Sequence, residues 1–185
     1  DEAHIADNAI TNAKLNNGEI TLNKMGAGGT ASTTTFLRGD FSWQAPTNVL
    51  LLDATPDADH TAVGPQTSTL NSGYSSTIMD LVYLGSSSKW LEADADATGT
   101  SINLLGISME AKTDGQAMNV ALSGSFVRDD TWTWTPGLPL YISGTLGAIT
   151  ATKPTGSGDV VRTVGYAVTA DVIFFNPSSD YVTLA

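Results

Sequence analysis

The chain has 185 residues, enough for one ordinary domain with a real core plus a short extension. Its formal net charge of −11, from 8 Lys+Arg against 19 Asp+Glu, leaves no basic patch to neutralise phosphates and argues against a nucleic-acid partner. The lack of cysteine excludes a disulfide framework and thiolate metal sites, and 41% hydrophobic residues with 18 glycines suit a Thr-rich β structure better than disorder.

Residues 4–25, HIADNAITNAKLNNGEITLNKM, carry an apolar residue at every fifth position: Ile5, Ile10, Leu15, Ile20 and Met25. On a helix a five-residue step turns about 500°, so these side chains scatter around the axis. On a strand the same step alternates faces. A threefold arrangement, in which parallel copies each send one apolar residue per pentad toward a shared axis, buries all five. The alternative is an irregular polar leader with accidental spacing.

Residues 26–35, GAGGTASTTT, read as a small-residue linker. The run AITNAKLNNGEIT, followed by TTTFLRGDFSWQAP at 33–46, resembles the shaft-to-head junction of tailed-bacteriophage fibre proteins. The match rests on Thr35, Phe36, Leu37, Arg38, Gly39, Asp40, Trp43 and Pro46, and departs at Phe41, where the family has Gly. Within that motif Arg38-Gly39-Asp40 reads as a local Arg–carboxylate pairing across a turn rather than as an integrin ligand. The resemblance implies a head carried on a trimeric stalk, located on the virion. The start at Asp1 rather than methionine reads as part of a longer protein. No signal-peptide pattern is visible and no apolar run approaches a membrane span, so membrane insertion is not expected.

Residues 47–77 read as a connector: an apolar run, Val49–Leu52, then a polar surface stretch. Asp53, Asp57, Asp59 and His60 offer calcium-type oxygen ligands, but no glycine turn or downstream Glu completes a calcium loop, so no metal is expected. From Ile78 onward, short apolar and β-branched runs alternate with turn signals: 78–84, 102–111, 116–127, 137–143, 147–152, 160–168 and 172–175. Met118, Val120 and Leu122 are predicted on one strand face, and Val164, Tyr166 and Val168 on another. No helical period occurs, which predicts an antiparallel sandwich or barrel. From about Asp80 to the end these runs also resemble a C-terminal β module recurrent in phage structural and fibre proteins.

Catalytic patterns are weak. The two histidines, His4 and His60, lie beside no nucleophile elbow, and the carboxylates Glu92, Asp94 and Asp96, or Asp129 and Asp130, read more simply as exposed charge than as a glycosidase pair. A binding surface is better supported. Arg128, Asp129, Asp130, Trp132, Trp134 and Tyr141 combine aromatic rings with charged hydrogen-bonding groups suited to sugar rings. The competing reading buries Trp132 and Trp134 in the core or beneath a neighbouring subunit.

The expectation is thus an all-β chain: a short trimeric fibre-like N-terminal repeat followed by an antiparallel β-sandwich or barrel head. It divides into shaft and junction (1–46), connector (47–77) and head (78–185). The expected role is a non-enzymatic, cofactor-free virion fibre module that attaches to a bacterial surface. A purely structural capsid-decorating or tail-connecting fibre is the alternative, and a polysaccharide depolymerase fragment the third. Expected partners are further copies of the chain, other virion proteins and a host surface polysaccharide.

Overall fold

The computed structural model describes residues 36–37, 43–44 and 53–185. The proposed trimer-axis residues Ile5, Ile10, Leu15, Ile20 and Met25, and the tripeptide Arg38-Gly39-Asp40, lie outside them. The chain divides into two compact units, Asp1–Leu51 and Leu52–Ala185. In the first, β1 (Phe36–Leu37) and β2 (Trp43–Gln44) pair antiparallel, Phe36 opposite Gln44 and Leu37 opposite Trp43. The junction motif therefore spans a small β-ribbon.

The second unit is built on two six-stranded sheets. Its strands in order are β3 (Thr61–Val63), β4 (Gln66–Thr67), β5 (Asn71–Ser72), β6 (Leu81–Leu84), β7 (Lys89–Glu92) and β8 (Leu105–Ser108). They continue with β9 (Val120–Ala121), β10 (Ser125–Arg128), β11 (Pro139–Ile142), β12 (Ile149–Thr150), β13 (Val160–Val161), β14 (Thr163–Ala167), β15 (Val172–Phe175) and β16 (Val182–Thr183). One sheet, in the order β12-β11-β14-β15-β10-β3, is wholly antiparallel. The other, β4-β9-β8-β6-β7-β5, is mixed, because β5 runs parallel to β7. A separate β13–β16 ribbon and one short helix, α1 (Thr98–Ser101), complete the unit. The chain is all-β in class.

Residues 61–72, read from sequence as part of the connector, supply β3, β4 and β5. These strands are only two or three residues long and carry no apolar alternation; β3 and β5 line the longer β10 and β7, while β4 pairs with the equally short β9. The chain changes sheet between β3 and β4 and again between β9 and β10.

The main core gathers Leu81, Ala93, Ala95, Leu105, Ile107 and Ala121 from the mixed-sheet side against Val127, Leu140, Ile142, Val164, Ala167, Ile173 and Phe175. Here the alternation of Ala93 and Ala95 with Glu92, Asp94 and Asp96 has a direct cause: the alanines are fully buried and the acids face outward to varying degrees. A second cluster of Val82, Trp90, Met118 and Val120, flanked by Leu70, Tyr74, Leu84 and Leu122, covers the other face of the mixed sheet. Met118, Val120 and Leu122 do share a face, as the alternation predicts, but Ala121 opposite them is also buried because this sheet is covered on both sides.

The expectation for Val164, Tyr166 and Val168 is corrected. Leu140 pairs with Gly165 and Tyr141 with Thr163, so Val164 is an extra residue opposite no partner, a β-bulge. The insertion resets the alternation: Val164 and Ala167 enter the core while Tyr166 is 49% exposed.

Candidate functional site

The second unit brings most of the sequence-nominated residues to one sheet and one of its ends. Arg128 closes β10, and the turn after it carries Asp129 and Asp130. Asp129 is buried; its Oδ1 accepts hydrogen bonds from the Thr131 N–H at 2.8 Å and the Thr131 hydroxyl at 2.6 Å. Arg128 donates through Nε to Asp130 at 2.6 Å, lies 3.4 Å from Asp171, and donates through Nη1 to the Pro56 carbonyl at 3.1 Å. Its hydrogen bond to Asp130, with the charges of Asp130, Asp171 and Asp59, holds the guanidinium above the ordinary arginine range against a smaller desolvation effect. The Asp171 carboxyl is drawn below its usual range, chiefly by the Thr169 hydroxyl and further by Arg128.

Trp132 and Trp134 lie half-buried against the main core, rings 5.8 Å apart and tilted by 53°. The buried Trp134 Nε1 has no hydrogen-bond partner. These rings pack against the main core rather than forming a free platform, in line with the core-packing alternative. Tyr141 is 8% exposed on β11, with the Lys153 ammonium 5.7 Å from its ring centre.

The outer face of the antiparallel sheet holds an aromatic row that sequence reasoning missed. Pro139 pairs with Tyr166, Tyr166 with Phe174, Phe174 with Phe126 and Phe126 with Val63, across five strands. Their neighbours Leu140, Ala167, Ile173 and Val127 enter the core, so this row faces away from it. The Phe126 and Phe174 rings lie 5.0 Å apart. Arg128 and Tyr141 lie on the same face, on opposite sides of the row. Four rungs contributed by distant segments carry no one-dimensional signal; only the strand register assembles them.

Of the earlier acidic groups, Asp94 accepts from the Thr100 hydroxyl at 2.7 Å and shapes the approach to α1. Asp53 holds a local turn through Thr55, whose N–H and hydroxyl both lie 2.9 Å from Oδ1, and these bonds lower its carboxyl. Asp59 and His60 instead meet Asp129: His60 Nδ1 is 3.5 Å from Asp59 and Nε2 3.8 Å from Asp129. A cleft of about 290 Å³ opens beside them, lined by His60, Thr61, Ala62, Gln66, Met109, Glu110 and Asn119. The sequence reading placed Asp59 and His60 in one group and Asp129 in another, and nothing in the intervening residues signals their meeting.

No described helix is long and apolar enough to cross a membrane. Compared with known proteins, the chain matches no family model, no curated protein and no solved structure.

Proposed function

We propose that this chain is a trimeric, non-enzymatic fibre module of a bacteriophage virion that attaches to a bacterial surface polysaccharide. The observation that carries the reading is the junction motif: Phe36-Leu37 and Trp43 of TFLRGDFSW lie on a β-ribbon, in a unit that precedes a β-sandwich along the chain. That order, repeat then junction then head, is the one the resemblance to tailed-phage fibres implies. The outer aromatic row, flanked by Arg128 and Tyr141, supports the attachment surface. Strand spacing of about 4.8 Å sets stacked rings at the scale of sugar units, with charged groups beside them to accept and donate hydrogen bonds. Three heads on one stalk multiply weak contacts to a repetitive polymer.

Two measurements test the reading. Light scattering on the full chain should give three times the 19.2 kDa chain mass, falling toward monomer when the chain starts at Thr47. A bacterial glycan array should then show binding that Phe126→Ala with Phe174→Ala weakens. A trimer that binds no glycan favours the capsid-decorating or tail-connecting role, and a monomer removes the threefold argument altogether.

A further inference from the structure

We propose that Asp59, His60 and Asp129 form a binding site for a divalent transition ion of the zinc class, a property independent of attachment. One ligand atom from each residue lies within 4.8 Å of the others. Tetrahedral metal–ligand bonds of about 2.0–2.2 Å place ligand pairs roughly 3.3–3.6 Å apart, so the three groups must draw together by up to about 1.3 Å when they take the ion. The Asp59 side chain, 42% exposed, is the one placed to move.

The buried carboxylate supplies an independent reason. The Asp129 side chain is 8% exposed, and a buried charge needs a cation or full hydrogen bonding. Its neighbour Arg128 is committed to Asp130, Asp171 and the Pro56 carbonyl. Among the described residues, the only ion-pair partner of Asp129 is His60, a group charged only when protonated. Thr131 occupies Oδ1 and no described donor reaches Oδ2. A metal bridging Asp129 to His60 places a permanent positive charge beside this carboxyl group.

The surroundings have the form of a metal site. Asp59 is oriented by the Asp130 N–H at 2.8 Å on Oδ1, leaving Oδ2 toward His60. Asp129 is oriented by Thr131. Such outer hydrogen bonds fix ligand direction and tune affinity. The 290 Å³ cleft lined by His60 gives an access route and room for water at the remaining coordination positions. An imidazole with two carboxylates selects zinc, manganese or iron(II) over calcium, which takes oxygen ligands only.

The test is calorimetric titration of Zn²⁺ into chelator-treated full-length protein, with Co²⁺ absorption as a direct readout of ligand-field geometry. One ion per chain is expected, with affinity reduced at least about 100-fold by His60→Gln or Asp129→Asn and about 10-fold by Thr131→Val. The only other histidine is His4, and His4→Gln should leave binding unchanged. Because Asp129 is buried, circular dichroism of Asp129→Asn accompanies the titration, and His60→Gln, on a 36% exposed side chain, provides the variant that folds regardless. Absence of binding, equal binding by His60→Gln, or loss with His4→Gln alone overturns the site.

Discussion

Gly165→Ala gives the sharpest test of how β14 and β15 of the antiparallel sheet meet. A methyl group at this position would sit 2.2 Å from the Phe174 carbonyl oxygen, 3.1 Å from its carbon and 3.2 Å from the Phe175 Cα, whereas real Cβ atoms essentially never come within 3.0 Å. The obstacles are backbone atoms, so no side-chain rotation relieves them. Strands β14 and β15 must separate by most of an ångström where Gly165 pairs with Phe175. Forced overpacking costs about 1–3 kcal/mol, and one or two weakened backbone hydrogen bonds about 0.5–1.5 kcal/mol each. The expected loss is about 2–5 kcal/mol, a large share of the 5–15 kcal/mol of about any folded domain. Urea unfolding followed by tryptophan fluorescence measures it. Gly99→Ala is the internal contrast: nothing lies within 4 Å of its added methyl, and in α1 it should stabilise by about 0.5–1 kcal/mol. A Gly165→Ala protein within about 0.5 kcal/mol of wild type would refute the close approach of β14 to β15.

Three further outcomes follow from particular side chains. Trp90→Ala should cost about 3–5 kcal/mol, since Trp90 is fully buried in the second cluster; a smaller loss in the same denaturant titration would mean that this layer contributes little. Arg162, 7% exposed, donates to the carbonyls of Ser178, Ser101 and Asn103 and, among the described residues, to no carboxylate, and burial lowers its pKa. Arg162→Met should therefore destabilise by about 2–4 kcal/mol and open the C-terminal segment to protease, and an unchanged cleavage pattern would count against the clamp. Burial, with the nearby Asp80 charge, raises the Glu92 carboxyl above its ordinary range. The folded chain then holds that proton more tightly than the unfolded one, so stability falls as pH rises from the ordinary carboxyl value through the raised one. Glu92→Gln should be more stable than wild type near neutral pH and lose the advantage in acid; a pH-independent difference would contradict this.

Local chemistry made some of the fold legible and left the rest hidden. Strands β11 and β12 and the turn between them are readable because GLPLYIS and GAITAT flank glycine-marked turn residues. The alanine–acid alternation at 92–96 likewise has one physical outcome, with the small apolar residues inward. The Val164 bulge was not readable, since a single inserted residue changes no composition and is defined only by its partner strand. Strands β3 to β5 are too short to show a period. The site shows the same limit. Arg128, Asp129 and Asp130 stood out as a charged turn, but His60 joins Asp129 only through the pairing of β3 with β10. The aromatic row depends on four such registers at once.

The short β3 strand also determines how the second unit answers to mechanical tension. Among the described residues, a pull on the chain upstream of Asp53 first meets the Arg128–Pro56 and Asp130–Asp59 hydrogen bonds. It next meets three residue pairs, Thr61 with Arg128, Ala62 with Val127 and Val63 with Phe126, at the open edge of the sheet. If those pairs are loaded one after another, the strand unzips in sequence, and if they are loaded together it shears as a unit. The two hydrogen bonds ahead of β3 take the load before its three pairs do, and because Ala62 packs against the main core, peeling β3 away also uncovers part of that core.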